Sequence, residues 1–197
     1  VCDMHPERVN KSIFEILDVD RAGREDIIVR SNVEEVIRDK AADVVLLATD
    51  SFVKGAYDKI ILCLEKGMNV ITTAEEMAYP MAQEEELAKK MNEIARANKV
   101  SVLGTGINPG LIMDLLVVAL TGACIDVESI KAERINDLSP FGLTVMEGQG
   151  VGLTLDEFNR RVENNTLDGH VGFPESIRMI SDSLGWELSD DIKLKRS

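Results

Sequence analysis

Four short segments carry residues that could bind a ligand, and each follows an apolar run typical of a β-strand. In open α/β sheets, ligands bind beyond the carboxyl ends of the strands, because loops and helix N-termini present unpaired N–H groups there. The sequence therefore predicts one binding site built from several strand ends. The segments are Asp3; Thr49 with Asp50 and Ser51; Thr72 with Thr73 and Ala74; and the run Gly104-Thr105-Gly106-Ile107-Asn108-Pro109-Gly110.

Asp3 stands between a strand end and a helix start. A dinucleotide-binding fold places there an acidic residue that accepts hydrogen bonds from the adenosine ribose. An equal alternative is a helix N-cap just ahead of Pro6. The GxGxxG phosphate turn, expected about thirty residues earlier, is not in the chain, and the glycines at 104 and 106 lack its spacing. Because the sequence also begins without an initiator Met, we expect it to be truncated at its start.

The run from Gly104 to Gly110 holds three glycines and a proline, and it lies between a predicted strand and a helix beginning near Leu111. This composition indicates that backbone approaches something closely. We expect a substrate or nicotinamide loop whose amides hold a carboxylate. The alternative is a tight turn in which Asn108 caps the helix. The residues assigned to substrate binding are Gly104, Thr105, Gly106, Asn108, Pro109 and Gly110.

A second glycine-rich segment, Gly169-His170-Val171-Gly172-Phe173-Pro174-Glu175-Ser176, also leads into a predicted helix. His170 is one of two histidines in the chain, and an imidazole that titrates near neutrality can act as a general base. The alternative is a loop histidine without a catalytic role. Further acid or base candidates lie beside the predicted loops, although solvated carboxylates are their default interpretation: Glu75, Glu76 and Glu147.

Composition excludes several other classes of protein. The formal charge of −13 has no local basic stripe to offset it, so binding to nucleic acid or to an anionic membrane is not expected. Three widely spaced cysteines without a CxxC pair predict neither a disulfide framework nor a metal site. With no signal-peptide pattern and no apolar run of membrane-spanning length, the sequence predicts a cytoplasmic protein.

Strands and amphipathic helices alternate through the first two-thirds of the chain, a pattern typical of a parallel sheet. Residues 43–49 are almost continuously apolar, which predicts a central strand covered on both faces. Further strands are expected at residues 1–3, 27–29, 69–73, 100–103 and 127–135. Helices are expected from Pro6 to about Leu17, at 33–37, 53–66 and 83–98, from near Leu111, after Thr154, and from Pro174 to Gly185.

The fold class predicted is therefore α/β: a partial Rossmann-type parallel sheet followed by the start of an α+β substrate domain. Residues 1–124 are expected to form an NAD(P)-binding domain that lacks its first βα unit. Residues 125–197 are expected to form part of a substrate and dimerisation domain, because the alternation of strands and helices changes beyond Asp126. Nothing in the last dozen residues indicates that this second domain is finished, so truncation is expected at both ends.

Five segments, taken together, resemble the dihydrodipicolinate-reductase-like superfamily of NAD(P)-dependent oxidoreductases. The resemblance covers nearly the whole chain, and GTGINPG with GHVGFPES is its most specific part. It implies that Thr49, Thr72 and Thr73 line the nicotinamide of a bound NAD or NADP, beside the ribose contact predicted for Asp3. The segments are VCD, DVVLLAT, NVITTAEEMAYP, VLGTGINPG and GHVGFPESIRMISDSLGW.

Within the superfamily, the resemblance implies oxidative deamination of 2,4-diaminopentanoate to 2-amino-4-oxopentanoate and ammonia, a step of ornithine degradation. Protein groups must then orient this small amino-acid substrate, keep its amine neutral and activate water. We expect the Asn108 loop to grip the substrate and His170 or a nearby glutamate to act as base. No metal is implied, and a homo-oligomer is expected.

Two alternatives stay open. One is a reductase of another amino-acid-derived imine or carbonyl, as in dihydrodipicolinate reductase, although paired histidines are typical of that enzyme and only His170 is present in the second part of this chain. The other is a non-catalytic module that keeps the fold without hydride transfer, because a fold alone does not establish activity.

Overall fold

The structure, a computed structural model, describes residues 1–164, 166–167, 169–188 and 192–195. Its strands are β1 (Val44–Leu47), β2 (Asn69–Thr72) and β3 (Val102–Gly104). Its α-helices are α1 (Ile13–Ile16), α2 (Val33–Val36), α3 (Val53–Glu65), α4 (Glu85–Asn98), α5 (Leu115–Thr121), α6 (Leu143–Gly148), α7 (Leu155–Glu163) and α8 (Phe173–Leu184). Two short 3₁₀ turns, Glu75–Ala78 and Pro80–Ala82, connect β2 to α4.

The three strands form one parallel sheet in the order β1-β2-β3. Val44 pairs with Asn69, and Val70 pairs with Val102. Hydrogen bonds extend past the strand ends, where Thr73 N donates to Leu47 O at 3.2 Å and Thr105 N donates to Thr72 O at 3.0 Å. The carboxyl ends of all three strands therefore meet at one edge of the sheet, as the sequence predicts.

Helices α3 and α4 pack against one face of this sheet and against each other. Two successive right-handed crossovers that advance in the same direction place both helices on the same side. The opposite face carries exposed side chains, with Leu46 75% and Leu103 55% exposed. The prediction that residues 43–49 form a central strand covered on both faces is therefore wrong: β1 is an edge strand with one covered face.

The core lies between α3, α4 and the covered face of the sheet. Ile60, Leu64 and Met68 are each 0% exposed, and Met91 and Val70 pack in the same cluster. Gly67, with φ +73°, ends α3 in the left-handed conformation that glycine adopts readily. Cys63 is buried in this core, and burial raises the pKa of its thiol.

The first thirty residues depart from the predicted strand, helix and strand. Asn10 has φ +63°, and its amide donates to Val29 O while Val29 N donates to Lys11 O. These bonds hold residues 10–11 against residue 29, so the helix predicted from Pro6 to Leu17 is reduced to α1. Residues 1–3 and 27–29 make single bridges, Cys2 with Arg30 and Ser12 with Ile28, instead of full strands.

The strand predicted at residues 127–135 is wrong. This stretch has no strand or bridge assignment, and Ile135 is 99% exposed. A β-strand needs a neighbour that completes its backbone hydrogen bonds, and no described segment supplies one here. The helices predicted after Thr154 and from Pro174 to Gly185 are confirmed as α7 and α8. Thr154 caps α7, and Gly185 ends α8 with φ +68°.

Replacing Leu64 with Ala in the full-length protein should lower the free energy of unfolding by about 2–5 kcal/mol, because a fully buried side chain leaves a cavity in the core. Urea unfolding followed by circular dichroism measures the change. Asp58→Ala, an exposed position on the same helix, is the matched control and should stay within about 0.5 kcal/mol. Equal effects of the two substitutions would contradict this core.

Candidate functional site

The first glycine loop, residues 104–110, is folded tightly on itself and against the turn that follows β2. A Cβ atom at Gly104 would lie 1.8 Å from Met77 O, and one at Gly110 would lie 2.5 Å from Gly106 N. Both positions therefore require glycine for packing reasons. The helix after the loop begins at Leu115, and its N-cap is Asp114, so the predicted start near Leu111 and the alternative cap at Asn108 are both wrong.

The second glycine loop, residues 169–176, lies directly against the first. A Cβ atom at Gly172 would lie 2.4 Å from Pro109 Cγ, and Gly172 has φ +103°. A side chain is therefore excluded at this position both by contact and by backbone conformation. The fold therefore brings together the two glycine-rich loops, which are separated by about sixty residues along the chain.

Asp114 ties the two loops together. Its carboxylate is 0% exposed, and its Oδ2 accepts hydrogen bonds from Gly110 N at 2.7 Å and from Ser176 Oγ at 2.9 Å. Its Oδ1 accepts from Leu115 N at 2.6 Å. Sequence reasoning missed this role, although the signal was present: Asp114 is the one charged residue within the apolar stretch from Leu111 to Leu120.

Three buried polar atoms in the described part of the chain lack a hydrogen-bond partner, and all three belong to these two loops. They are Asn108 Oδ1, His170 Nε2 and Glu175 Oε2. Buried polar groups are nearly always paired, so a group of unpaired atoms at one place requires an explanation.

His170 is half-buried, and its ring lies edge-on to Phe173 with 4.5 Å between ring centroids. Burial lowers the pKa of this imidazole below its ordinary value, and the positive charge of Arg134 lowers it further. The carboxylate of Glu75 opposes this shift. His170 is therefore kept neutral at neutral pH, as a proton acceptor must be.

Glu175 was not among the residues assigned a role from the sequence. It is 0% exposed at the start of α8, and its Oε1 accepts a hydrogen bond from Gln83 Nε2 at 2.8 Å. Burial raises the pKa of the carboxyl, the Gln83 amide opposes the rise, and the nearby charge of Glu76 adds to it. A glutamate just after a helix-opening proline resembles an ordinary first-turn acid, so the sequence alone did not distinguish it.

Tyr79 forms a second link between the turn after β2 and α8. Its hydroxyl donates to Asp182 Oδ2 at 2.6 Å. This hydrogen bond, together with partial burial, raises the pKa of Tyr79 to about 12. With Gln83 and Glu175, it fixes the segment from Glu75 to Gln83 against the helix that follows the second glycine loop.

The residues predicted to bind cofactor lie at the strand ends. Thr49 is exposed, and its Oγ1 accepts a hydrogen bond from Lys59 Nζ at 3.1 Å. Thr72 is buried, and its Oγ1 accepts from Ala74 N at 3.2 Å, while Thr73 is exposed at the same edge. Thr49 and Thr73 are therefore open to a ligand, whereas Thr72 shapes the turn.

Asp3 has both carboxylate oxygens in use. His5 N donates to Oδ1 and the Arg8 guanidinium donates to Oδ2, each at 2.9 Å. The His5 amide, and then Arg8, hold the pKa of this exposed carboxyl below its usual range. Asp3 thus caps the turn at residues 5–8, which is compatible with the capping interpretation and leaves the ribose interpretation a prediction.

The remaining acidic candidates differ in their surroundings. Glu76 Oε2 accepts from Val53 N at 2.7 Å and so caps α3 from the neighbouring strand end. Glu147 is exposed on α6.

Among the described residues, no group of three or more His, Cys, Asp or Glu side chains could hold a metal ion, and no helix combines the length and the apolar character needed to cross a bilayer.

Residues 111–197 match the family model of the 2,4-diaminopentanoate dehydrogenase C-terminal domain. The chain is 60% identical over 181 residues to the 2,4-diaminopentanoate dehydrogenase of Acetoanaerobium sticklandii, a match covering 92% of this chain and 51% of that protein. Among solved structures, an amine dehydrogenase from Mycobacterium smegmatis is 22% identical, with a TM-score of 0.72, and the match covers 92% of this chain and 53% of that one.

The chain therefore spans about half the length of the curated relative that it matches. At 22% identity, the solved structure shows the fold alone, and with the parallel sheet it confirms the predicted α/β class. The resemblance inferred from the sequence is confirmed by the match of residues 111–197 and by the 60% identical relative.

Replacing Gly172 with Ala should destabilise the full-length protein by about 2–4 kcal/mol, because the new methyl group meets the rigid ring of Pro109 and the backbone conformation is unfavourable for alanine. Thermal or urea unfolding measures the loss. Gly142→Ala is the matched control, since its Cβ would meet nothing within 4 Å. If both variants were as stable as the parent, the two loops would not be in contact.

His170 should titrate below the ordinary pKa of about 6.5 when its ring protons are followed by NMR. Because the folded state favours the neutral ring, the associated stability is fully present above the pKa of the unfolded chain and is lost as the pH falls through the folded value. In His170→Asn, unfolding stability should therefore decline less between pH 7 and pH 5. A ring that titrates at or above the ordinary value would contradict the burial described here.

Proposed function

We propose that the full-length protein is a nicotinamide-dependent amino-acid dehydrogenase, and the match of residues 111–197 to the 2,4-diaminopentanoate dehydrogenase C-terminal domain supports this proposal. It oxidises the carbon bearing the 4-amino group of 2,4-diaminopentanoate and releases 2-amino-4-oxopentanoate and ammonia. The 60% identical relative is named 2,4-diaminopentanoate dehydrogenase, and this name supports the proposed substrate.

One observation carries the proposal: the unpaired polar atoms of Asn108, His170 and Glu175 all lie on two loops that touch each other. The charge of Glu75 reaches His170 in the same region. A diamino acid presents two nitrogen groups and a carboxylate. The unpaired acceptor atoms can receive hydrogen bonds from the nitrogen groups, and the backbone amides of the first glycine loop can donate hydrogen bonds to the carboxylate.

We assign the general-base role to His170. Its burial favours the neutral ring, and its Nε2 has no protein partner, so it can take a proton from the 4-amino group or from the attacking water. The Asn108 loop holds the substrate so that its C4 hydrogen is presented toward the strand ends. Asp114 and Gly172 act indirectly, by keeping the two loops in contact.

The residues at the sheet edge fit the nicotinamide end of NAD or NADP. The exposed hydroxyls of Thr49 and Thr73 would contact this part of the cofactor, and Thr72 shapes the turn between them. When bound, the nicotinamide ring accepts the hydride from the substrate carbon. Asp3 would bind the adenosine ribose and favour NAD, whereas Arg8, which pairs with it, could accommodate the additional phosphate of NADP.

The wider setting follows from the sequence. We propose that residues 1–124 form the cofactor-binding part and residues 125–197 part of the substrate domain, within a cytoplasmic homo-oligomer. The family match from residue 111 supports a separate second part, and the strongly acidic composition supports a small-molecule substrate over nucleic acid or membrane.

Purified full-length protein supplied with 2,4-diaminopentanoate should reduce NAD or NADP, measured at the nicotinamide absorbance band. Ornithine, lysine and meso-diaminopimelate are the controls and should give little turnover. A folded protein that binds the cofactor and is inactive with all four amines would refute the proposal, and it would favour the reductase of another imine or carbonyl.

Substituting His170 with Ala should lower kcat by about 10²–10⁴-fold, the usual contribution of a general base. The parent's loss of activity at low pH, which reports protonation of the base, should be absent from the residual rate. Glu163→Gln, an exposed change at the end of α7, is the control and should leave kcat unaltered. Unchanged turnover in His170→Ala would remove this residue from the mechanism.

A further inference from the structure

Glu175 is a buried carboxyl with one satisfied oxygen and one unsatisfied oxygen. The residue is 0% exposed, its Oε1 is held by Gln83, and its Oε2 has no partner. No ion pair within the described residues includes it. An unpaired carboxylate oxygen away from water is costly, so a native protein keeps one where function uses it.

The position of Glu175 links it to the proposed substrate site. The next residue, Ser176, bonds to Asp114, and Asp114 also holds Gly110 of the first glycine loop. On that loop, Asn108 Oδ1 is a second buried oxygen without a partner. Both oxygens are hydrogen-bond acceptors, so a ligand group that binds either of them must be a donor.

A primary ammonium group meets this requirement. It carries three N–H donors, no acceptor and a positive charge, and a charge-assisted hydrogen bond to a carboxylate is about twice as strong as a neutral one. We propose that Glu175 Oε2 binds the ammonium group on C2 of the substrate, the amino group that the reaction leaves in place. This inference rests on the proposed function, and it assigns to Glu175 the preference of the enzyme for a diamino acid.

The C2 group is favoured over the reacting amine for a chemical reason. The amine on C4 must lose its charge before hydride leaves its carbon, and a carboxylate beside it would stabilise the charged form. An ammonium that remains charged throughout the reaction is the suitable partner for Glu175. His170, kept neutral by its surroundings, is the suitable partner for the amine that must be deprotonated.

The electrostatic setting agrees with this assignment. Without a ligand, burial and the charge of Glu76 raise the pKa of Glu175 and favour its neutral form. Arrival of a cation would offset both effects and stabilise the ionised carboxylate.

The test compares two substrates in full-length protein: 2,4-diaminopentanoate and 4-aminopentanoate, which lacks the C2 amino group. Glu175→Gln keeps the size of the side chain and an oxygen for Gln83, but it removes the charge. We expect KM for the diamine to rise roughly ten- to a hundredfold, the usual effect of losing a hydrogen bond to a charged group. KM for 4-aminopentanoate should change less than threefold.

Glu163→Gln, an exposed change at the end of α7, is the control and should alter neither KM. Equal changes of KM for both substrates in Glu175→Gln, or no change for either, would overturn the inference while leaving the proposed function in place. Thermal unfolding of each variant separates loss of fold from loss of binding. Parent protein inactive with the diamine would overturn the proposed function and this inference together.

Discussion

The buried carboxylate of Asp114 is the interaction on which the candidate site depends. It receives hydrogen bonds from the first glycine loop, from the helix that follows it and from Ser176 on α8. A buried acceptor with several donors fixes geometry, because movement of any partner leaves a polar group unpaired. Pro109, which Gly172 contacts, precedes Gly110, and Glu175 precedes Ser176, so both loops are held next to residues that Asp114 binds.

Burial shifts the pKa values of the two titratable groups of the loops in opposite directions, and both shifts disfavour the charged form. It lowers the pKa of His170 and raises the pKa of Glu175, and in both cases the neutral form is favoured. Gln83 and Tyr79 hold the neighbouring turn against α8 through neutral donors.

The sequence was sufficient to predict the parts of the fold that depend on local pattern. The apolar strands, the helix caps and the meeting of strand ends follow from periodicity and from crossover geometry, and the Thr154 cap is an example. Pattern could not reveal which face of β1 is covered, since a continuous apolar run is compatible with either case. It also could not reveal Tyr79 or Glu175, because their roles depend on partners far away in the chain.

The links that form the site have an implication for the order of folding. Asp114 and Ser176 are 62 residues apart, Gln83 and Glu175 are 92 apart, and Tyr79 and Asp182 are 103 apart. Closing such long loops costs chain entropy before any contact compensates for it, whereas α3, α4 and the sheet join residues closer in sequence. The sheet and its two helices are therefore expected to form first as a scaffold, and the ligand-binding geometry is acquired late, when α8 docks. During synthesis on the ribosome, the nascent chain has no binding site until α8 has emerged.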